Sequence, residues 1–416
     1  MEVELEDRDR ALLDGEAGDG PALAMRLVVK MAEVSRAPHL RDVTRAHIDS
    51  CLYHGQVGLD FAERLLAGGA SVTVPSTLNV SSLDLLHPEL VLLDDETRGR
   101  AKRLMDAYVA MGCRPTWTCA PYQLPDRPAF GEHVAWAESN AIVFANSVLG
   151  ARTNRYGDFI DICAAVTGRV PDHGLHTDEG RRATARFRLQ GVSDPLLDQD
   201  LLYPVLGHLL GRRAGSEVAA IDGLPPLTSE DRLKAIGAAA ASSGSVALFH
   251  AIGVTPEAPT WEAVAGLGAR EEVVTLADLR AARDELSHVP DGAELGAVSV
   301  GTPHASEDEL LRLAALVAEA RPRVPFYVNT GRAQLAAIGD VAGTLADGGV
   351  TVVTDTCTYI TPVLRRVAAP VMTDSGKWAW YAPSNLGVEV VLGSLEDCVR
   401  SAAAGIVTRD EALWAG

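Results

Sequence analysis

Apolar residues recur at helical spacing over residues 22–34, around 61–66 and over 96–111, and each run predicts an amphipathic helix packed on a core. Between them, the β-branched run 71–75 and the short run 115–118 read as extended segments, the second a strand that delivers Cys119. The character changes near residue 183. Residues 185–192 alternate as a strand does, and 202–210 form a short helical pattern with Pro204 in the first turn and Gly211 just past the end. The longest apolar window, 235–254, is interrupted by Ser242, Ser243, Gly244, Ser245 and His250, so it predicts a core helix followed by a strand and not a membrane span. The last third has a βα rhythm: strands at 297–300, 325–328, 350–354 and near 367–372, helices at 307–320 and 333–346. The expectation is an α/β chain with parallel sheets, in approximate regions 1–182, 183–290 and 291–416.

A chain of 416 residues can bury a large core and divide into two or three domains. Its net charge of −19 argues against nucleic acid or an anionic membrane as the main partner. The N-terminus is acidic where a secretory leader would be basic, which predicts a cytoplasmic protein. Six cysteines without a CxxC pair do not suggest a disulfide framework, so any metal site must be assembled from distant segments. Gly266-Leu267-Gly268 lacks the third glycine of a dinucleotide fingerprint, and no Walker sequence or G-x-S-x-G elbow occurs. Nucleotide-dependent and serine-hydrolase chemistry are thereby disfavoured.

The window from Thr118 to Arg155 carries the densest chemistry: a thiol, carboxylates, imidazole, amides and guanidinium groups in an otherwise apolar stretch. Buried polar groups need partners, so ordinary core sequence avoids this mixture. Read as one helix at about 100° per residue, the stretch puts Glu132, Ser139 and Asn146 in a narrow seam edged by His133, Asn140 and Ser147. A merely solvated seam is the alternative. Arg152, Asn154 and Arg155 follow as an anion clasp suited to a carboxylate or phosphate. Further on, polar loops close each predicted strand: 302–306, 329–332, 355–358 and 373–377. Parallel sheets bind ligands beyond their carboxyl ends. Ser306 and Thr330 suit helix caps as well as function, whereas Cys357 and Lys377 are not capping residues. The His173–His176 pair, followed by Asp178 and Glu179, is a weak metal signal without a helix.

Taken together, these segments resemble the aconitase X family, the divergent branch of the aconitase superfamily, in its large subunit. The resemblance runs through Ala46-His47-Ile48-Asp49, Val74 to Asn79, the Cys119 to Arg155 block, Gly174-Leu175-His176, Gly244 to His250 with Thr255-Pro256-Glu257, Gly301 to His304, Asp355-Thr356-Cys357 and Ser375-Gly376-Lys377. It implies an aconitase-like multi-domain fold lacking the small swivel domain, which a separate small subunit would supply together with the catalytic base. It also implies a hydro-lyase reaction and iron, as an iron–sulfur cluster or a single ion. Cys119 and Cys357 would be metal ligands. Where the family has a third cysteine this chain has Thr302, a weak oxygen ligand, unless Cys51 approaches from another loop.

The implied reaction is dehydration of a small β-hydroxy acid, with iron as Lewis acid at the departing hydroxyl. Glu132, His133 and His304 are the acid–base candidates, and Lys377 would act with them by holding the carboxylate. Ser139, Asn146, Arg152, Asn154, Arg155 and Ser375 would bind substrate. Family members dehydrate cis-3-hydroxy-L-proline or mevalonate 5-phosphate; the first, giving Δ1-pyrroline-2-carboxylate, is the preferred expectation. An inactive metal-binding subunit and a thiol-dependent oxidoreductase are the readings from other classes.

Overall fold

The computed structural model describes residues 3–365 and 367–415. It divides into two compact units, Met1–Leu83 with Leu93–Arg182, and Asp84–Leu92 with Ala183–Gly416. No helix among the described residues is long and apolar enough to cross a membrane.

The first unit is built on a three-stranded parallel sheet of β1 (Ala46–Ile48), β2 (Ser76–Leu78) and β3 (Ala135–Trp136), in the order β2-β1-β3. The amphipathic runs become α1 (Asp19–Ser35), α2 (Gln56–Ala67) and α3 (Asp95–Ala110). α2 lies in the β1–β2 connection and α3 in the β2–β3 connection, as parallel strands require. α4 (Ser139–Ser147) follows β3, and α5 (Ile160–Thr167) packs against both β1 and β3.

Three expectations change here. Residues 71–75 and 115–118 are not strands. β2 starts one residue after Pro75, and the 115–118 run is held off the sheet by Pro115, which has no N–H, and by Trp117 at φ +45°. The stretch 132–147 is not one helix. Glu138 caps α4 by accepting from Ala141 N, and residues 135–136 before it are spent on β3.

The second unit carries two larger parallel sheets. β4 (Ala183–Gln190), β5 (Ala219–Asp222), β6 (Phe249–Ala251) and β7 (Ala265–Thr275) lie in the order β6-β5-β4-β7. α6 (Leu202–Ala214) and α7 (Glu230–Ser243) pack tightly on each other. Gly211 does not end α6; a Cβ there would meet Ala240 O at 2.6 Å, so glycine permits the close helix pair.

The other sheet contains β8 (Ala297–Ala305), β9 (Phe326–Thr330), β10 (Val350–Val353), β11 (Val371–Thr373) and β12 (Val390–Leu392), in the order β10-β9-β8-β11-β12. Its core is aliphatic, with Val298, Val300, Phe326, Val328, Met372 and Val391 buried against α8 (Glu307–Glu319). The helix expected over 333–346 is broken by Gly339 at φ +52° into Arg332–Ala337 and Val341–Asp347. The strand expected near 367–372 starts only at Val371, one residue after Pro370.

All three parallel sheets start at an interior strand, build outward, then return to its other side. That leaves a topological switch point, between β1 and β3, between β4 and β7, and between β8 and β11.

Candidate active site

In the first unit, the loops leaving β1, β2 and β3 present Asp49, Asn79 and Glu138. Asp49 and Glu138 flank the switch point. Asn79 Nδ2 donates to Asp49 Oδ1. Glu138 Oε2 accepts from Ala141 N at 2.9 Å and from Asn140 Nδ2, which also donates to Cys119 O at 3.0 Å. Tyr122, stacked on Phe144, donates from its hydroxyl to Asn140 Oδ1 at 2.7 Å. The backbone on either side of the buried Cys119 is thus pinned to the start of α4.

Burial dominates the electrostatics of this edge. It pushes the Asp49 carboxyl up to about 8, with Glu138, Asp158 and Asp161 adding repulsion. His47, fully buried, is lowered to about 3 by desolvation and is a neutral imidazole at neutral pH. Cys51 does not offer a ligand: its thiol donates toward the Ile48, Asn79 and Val80 carbonyls, and burial raises it well above the ordinary thiol range.

In the second unit, the switch point between β8 and β11 gathers Thr302, His304 and Ser375. Gly301, at φ +76°, permits this turn; a Cβ would sit 2.4 Å from Asn329 O. The Ser375 hydroxyl accepts from Trp378 N, capping α9 (Gly376–Leu386), and donates to Thr302 O. Asn329 joins the end of β8 to the Thr358 loop, donating to Val300 O at 2.9 Å and Thr302 Oγ1 at 3.3 Å while accepting from Thr358 N at 3.0 Å. The Thr358 hydroxyl in turn meets Ser299 and accepts from Trp378 Nε1.

The loop bearing Cys357 is fixed by Asp355, a buried carboxylate gripped by Arg332 through two contacts of 2.6 Å. His304 Nε2 lies 3.1 Å from Thr356 O, and the ligand atoms of His304 and Cys357 stand within 4.8 Å of each other, both residues buried. A thiol and an imidazole so close together suit iron. Lys377, also buried, has its ammonium 5.7 Å from the centre of the Tyr359 ring. A hollow of about 50 Å³ beside Thr302, Ser375 and Lys377 is walled by Lys234, Glu309 and Asp374. The Lys234 ammonium there is already matched by Glu309 and Asp231, at 2.5 and 2.7 Å. Ser306 is a capping residue of α8.

The remaining sequence candidates lie elsewhere in the first unit. Glu132 and His133 precede β3 and so stand at its amino end, away from the switch-point loops. Glu132 accepts from Arg45 Nε at 2.8 Å, Ala129 N at 2.7 Å and Thr44 Oγ1. His133 Nδ1 meets His176 Nδ1 at 2.9 Å, and His176 Nε2 meets the Tyr156 hydroxyl at 2.6 Å, so His176 belongs to a hydrogen-bonded imidazole pair.

The anion clasp is not assembled as a clasp. Arg152 bonds His176 O and Asp178, and buried Asn154 ties down Leu175 N and His173 O. Arg155 is exposed. Asn146 is sealed by Thr153 and Arg181. Ser139, half-buried at the head of α4, donates to Glu138 at 3.3 Å. The residues that periodicity passed over are His47, Asp49, Asn79 and Glu138. Each sits in or directly after a short apolar run, which is the one signal that marks a strand's carboxyl end.

Fold and site describe a multi-domain α/β enzyme whose polar groups collect where parallel strands end and the chain reverses direction. Family profiles for the first, second and third domains of aconitase X match residues 2–179, 183–284 and 295–404. The chain is 43% identical to a cis-3-hydroxy-L-proline dehydratase of Pseudomonas aeruginosa, over 95% of this chain and 69% of that protein. It is 40% identical to a protein of the same name from Hypocrea jecorina, over 97% and 69%. It is 37% identical to the phosphomevalonate dehydratase large subunit of Methanothermobacter thermautotrophicus, over 96% and 98%. The crystal structure of holo-form aconitase X from Thermococcus kodakaraensis superposes with a TM-score of 0.86 at 30% identity, covering 96% of this chain and all of that one. The chain belongs to the aconitase X family. It is a lyase of the dehydratase kind.

Proposed function

We propose that this protein removes water from cis-3-hydroxy-L-proline to give Δ1-pyrroline-2-carboxylate, working in the cytoplasm with a small partner subunit that supplies the base. The observation that carries the substrate is the higher identity, 43% and 40%, to the two cis-3-hydroxy-L-proline dehydratases. The charge pattern supports it. A phosphorylated substrate calls for several guanidinium groups, yet Arg332 is committed to Asp355 and Arg152 to Asp178. The partner is supported by the near full-length match to a protein named as a large subunit. That same match favours mevalonate 5-phosphate as the second reading.

Cys357 and His304 in the second unit, with Cys119 of the first as the family resemblance implies, would hold iron. When bound, iron supplies a Lewis acid for the departing hydroxyl. Lys377 offers a single cation of the right kind for one carboxylate, and its burial strengthens that attraction relative to water. Ser375, spent on capping α9 and on Thr302, holds the Lys377 turn against β8. Asn329 keeps the Thr302 and Thr358 loops in register, so the reacting groups need little reorganisation.

The test is co-expression with a small subunit of the aconitase X type, anaerobic purification, iron analysis and assay on both acids. Stoichiometric iron and formation of the cyclic imine are expected. Dehydration of mevalonate 5-phosphate alone would favour the second reading, and loss of water from neither acid would sink both.

A further inference from the structure

The carboxyl edge of the β2-β1-β3 sheet holds two carboxyl groups in unlike settings. Glu138 accepts three hydrogen bonds, from Ala141 N, Asn140 Nδ2 and Ser139 Oγ, the pattern that suits an ionised carboxylate. Asp49 accepts one, from Asn79 Nδ2. Beneath it, Asp161 is locked in place by Asp49 N, Ser50 N, Ser50 Oγ and Ile162 N at 2.6–2.9 Å. Of these three carboxyls, Asp49 is therefore the one with least hydrogen-bond support for a negative charge.

Two deeply buried polar atoms beside it make no well-formed hydrogen bond: His47 Nε2 and Asn79 Oδ1, with the Asn79 side chain and the Thr118 backbone near enough to His47 only to favour its charged form. Unsatisfied buried polar atoms cost stability and need a reason. A hydroxylated ligand lying across this edge would give them one. Asp49 is buried enough for desolvation to lead its upward shift, yet part of the residue stays accessible, so a ligand can reach it.

We propose that Asp49 is a catalytic residue, the general acid that protonates the departing hydroxyl, with Glu138 as the carboxylate beside it. This rests on the dehydratase reading above. In the step, the C–O bond breaks and its electron pair leaves with oxygen, which takes the Asp49 proton to become water. The α C–H electron pair forms the new double bond, and the α-proton passes to the base of the partner subunit. Solvent returns a proton to Asp49 before the next turnover. A carboxyl pushed well up by desolvation and by the carboxylates around it holds its proton further toward neutral pH and is suited to this work. The titratable groups that face it are Glu138 after β3, Asp158 and Asp161 at the entry to α5, and Cys51 in the next turn.

The test uses the iron-loaded complex with its small subunit. Wild type is expected to show kcat falling as pH rises through about 8, because the acid is then ionised. Asp49→Asn is expected to lower kcat by about 10²–10⁴-fold with KM little changed and iron content intact. Asp158→Asn, at an exposed position, removes one repelling charge and is expected to move the alkaline limb to lower pH. This variant keeps the idea testable should Asp49→Asn fold poorly. Near-normal kcat in Asp49→Asn, or a limb that is absent or indifferent to Asp158→Asn, would overturn the assignment while leaving the dehydratase reading intact. A wild-type complex that dehydrates neither acid would remove both.

Discussion

The two ends of β3 carry similar side chains and opposite accounts of them. At its amino end, Glu132, His133, Arg45, Arg152 and His176 have paired with one another or with nearby backbone. At its carboxyl end, Glu138 is bound, Asp49 is under-supported, and His47 and Asn79 each keep a buried polar atom without a well-formed hydrogen bond. A dense cluster of ionisable groups marks structure when every member has a partner. It marks chemistry when, at a place the topology reserves for ligands, the accounts do not close.

The sharpest way to break this comparison is to make the same change at both ends. Glu138→Gln removes the charge beside Asp49 and turns one of two acceptor oxygens into a donor, and kcat in the assembled enzyme is expected to fall by about 10²-fold or more. Glu132→Gln keeps the shape of its site and is expected to leave kcat within about threefold, its cost appearing as about 1–3 kcal/mol of stability because Arg45 loses its ionic partner. Steady-state kinetics beside urea unfolding would check both. Equal kinetic losses at the two ends would refute the distinction.

How much of this was legible in the sequence follows the same line. The helices α1, α2 and α3 and the βα rhythm of the last third were readable because long periodic segments report their buried face directly. Cys357 and Ser375 could be placed because they follow strands that apolar runs announce, and His304 because it lies at the end of one. The 132–147 stretch misled because β3 is two residues long, too short to imprint a period of two, so its neighbours fell onto an imagined helical wheel. Asp49 and Asn79 entered only through the family resemblance and were given no role at the site, for a related reason. β1 and β2 are three residues each, and only the fold reveals that their ends meet.

A smaller effect separates sequence-level suspicion from structural duty in Asn146. The residue is fully buried, its amide closing on both Thr153 N and Thr153 O while its oxygen also accepts from Arg181 at 2.9 Å. Asn146→Ala takes away the side-chain partner of Thr153 N and Thr153 O in a dry setting. The expected cost is about 2–4 kcal/mol in denaturant unfolding, with kcat per folded molecule unchanged. A change in KM without loss of stability would instead return Asn146 to the substrate.

The smallest effect distinguishes the amino end of β3 by its response to acid. His176 is lowered to about 3, first by burial and then by His133; His133 is lowered to about 4 by burial and by Arg41 and Arg152. An unfolded histidine takes its proton near pH 6.5. Between that pH and the depressed folded values, the unfolded chain binds protons that the native pair refuses. Stability is therefore full above about pH 6.5 and falls as pH drops, by at most about 1.4 kcal/mol per pH unit for the buried His176 and by less for the half-exposed His133. His176→Asn removes one of these sites, so its urea-unfolding free energy is expected to decline less steeply than that of wild type between pH 6 and pH 5. Parallel declines would mean that the imidazole pair already accepts a proton in the native state, and the amino end of β3 would then be a site of proton exchange in its own right.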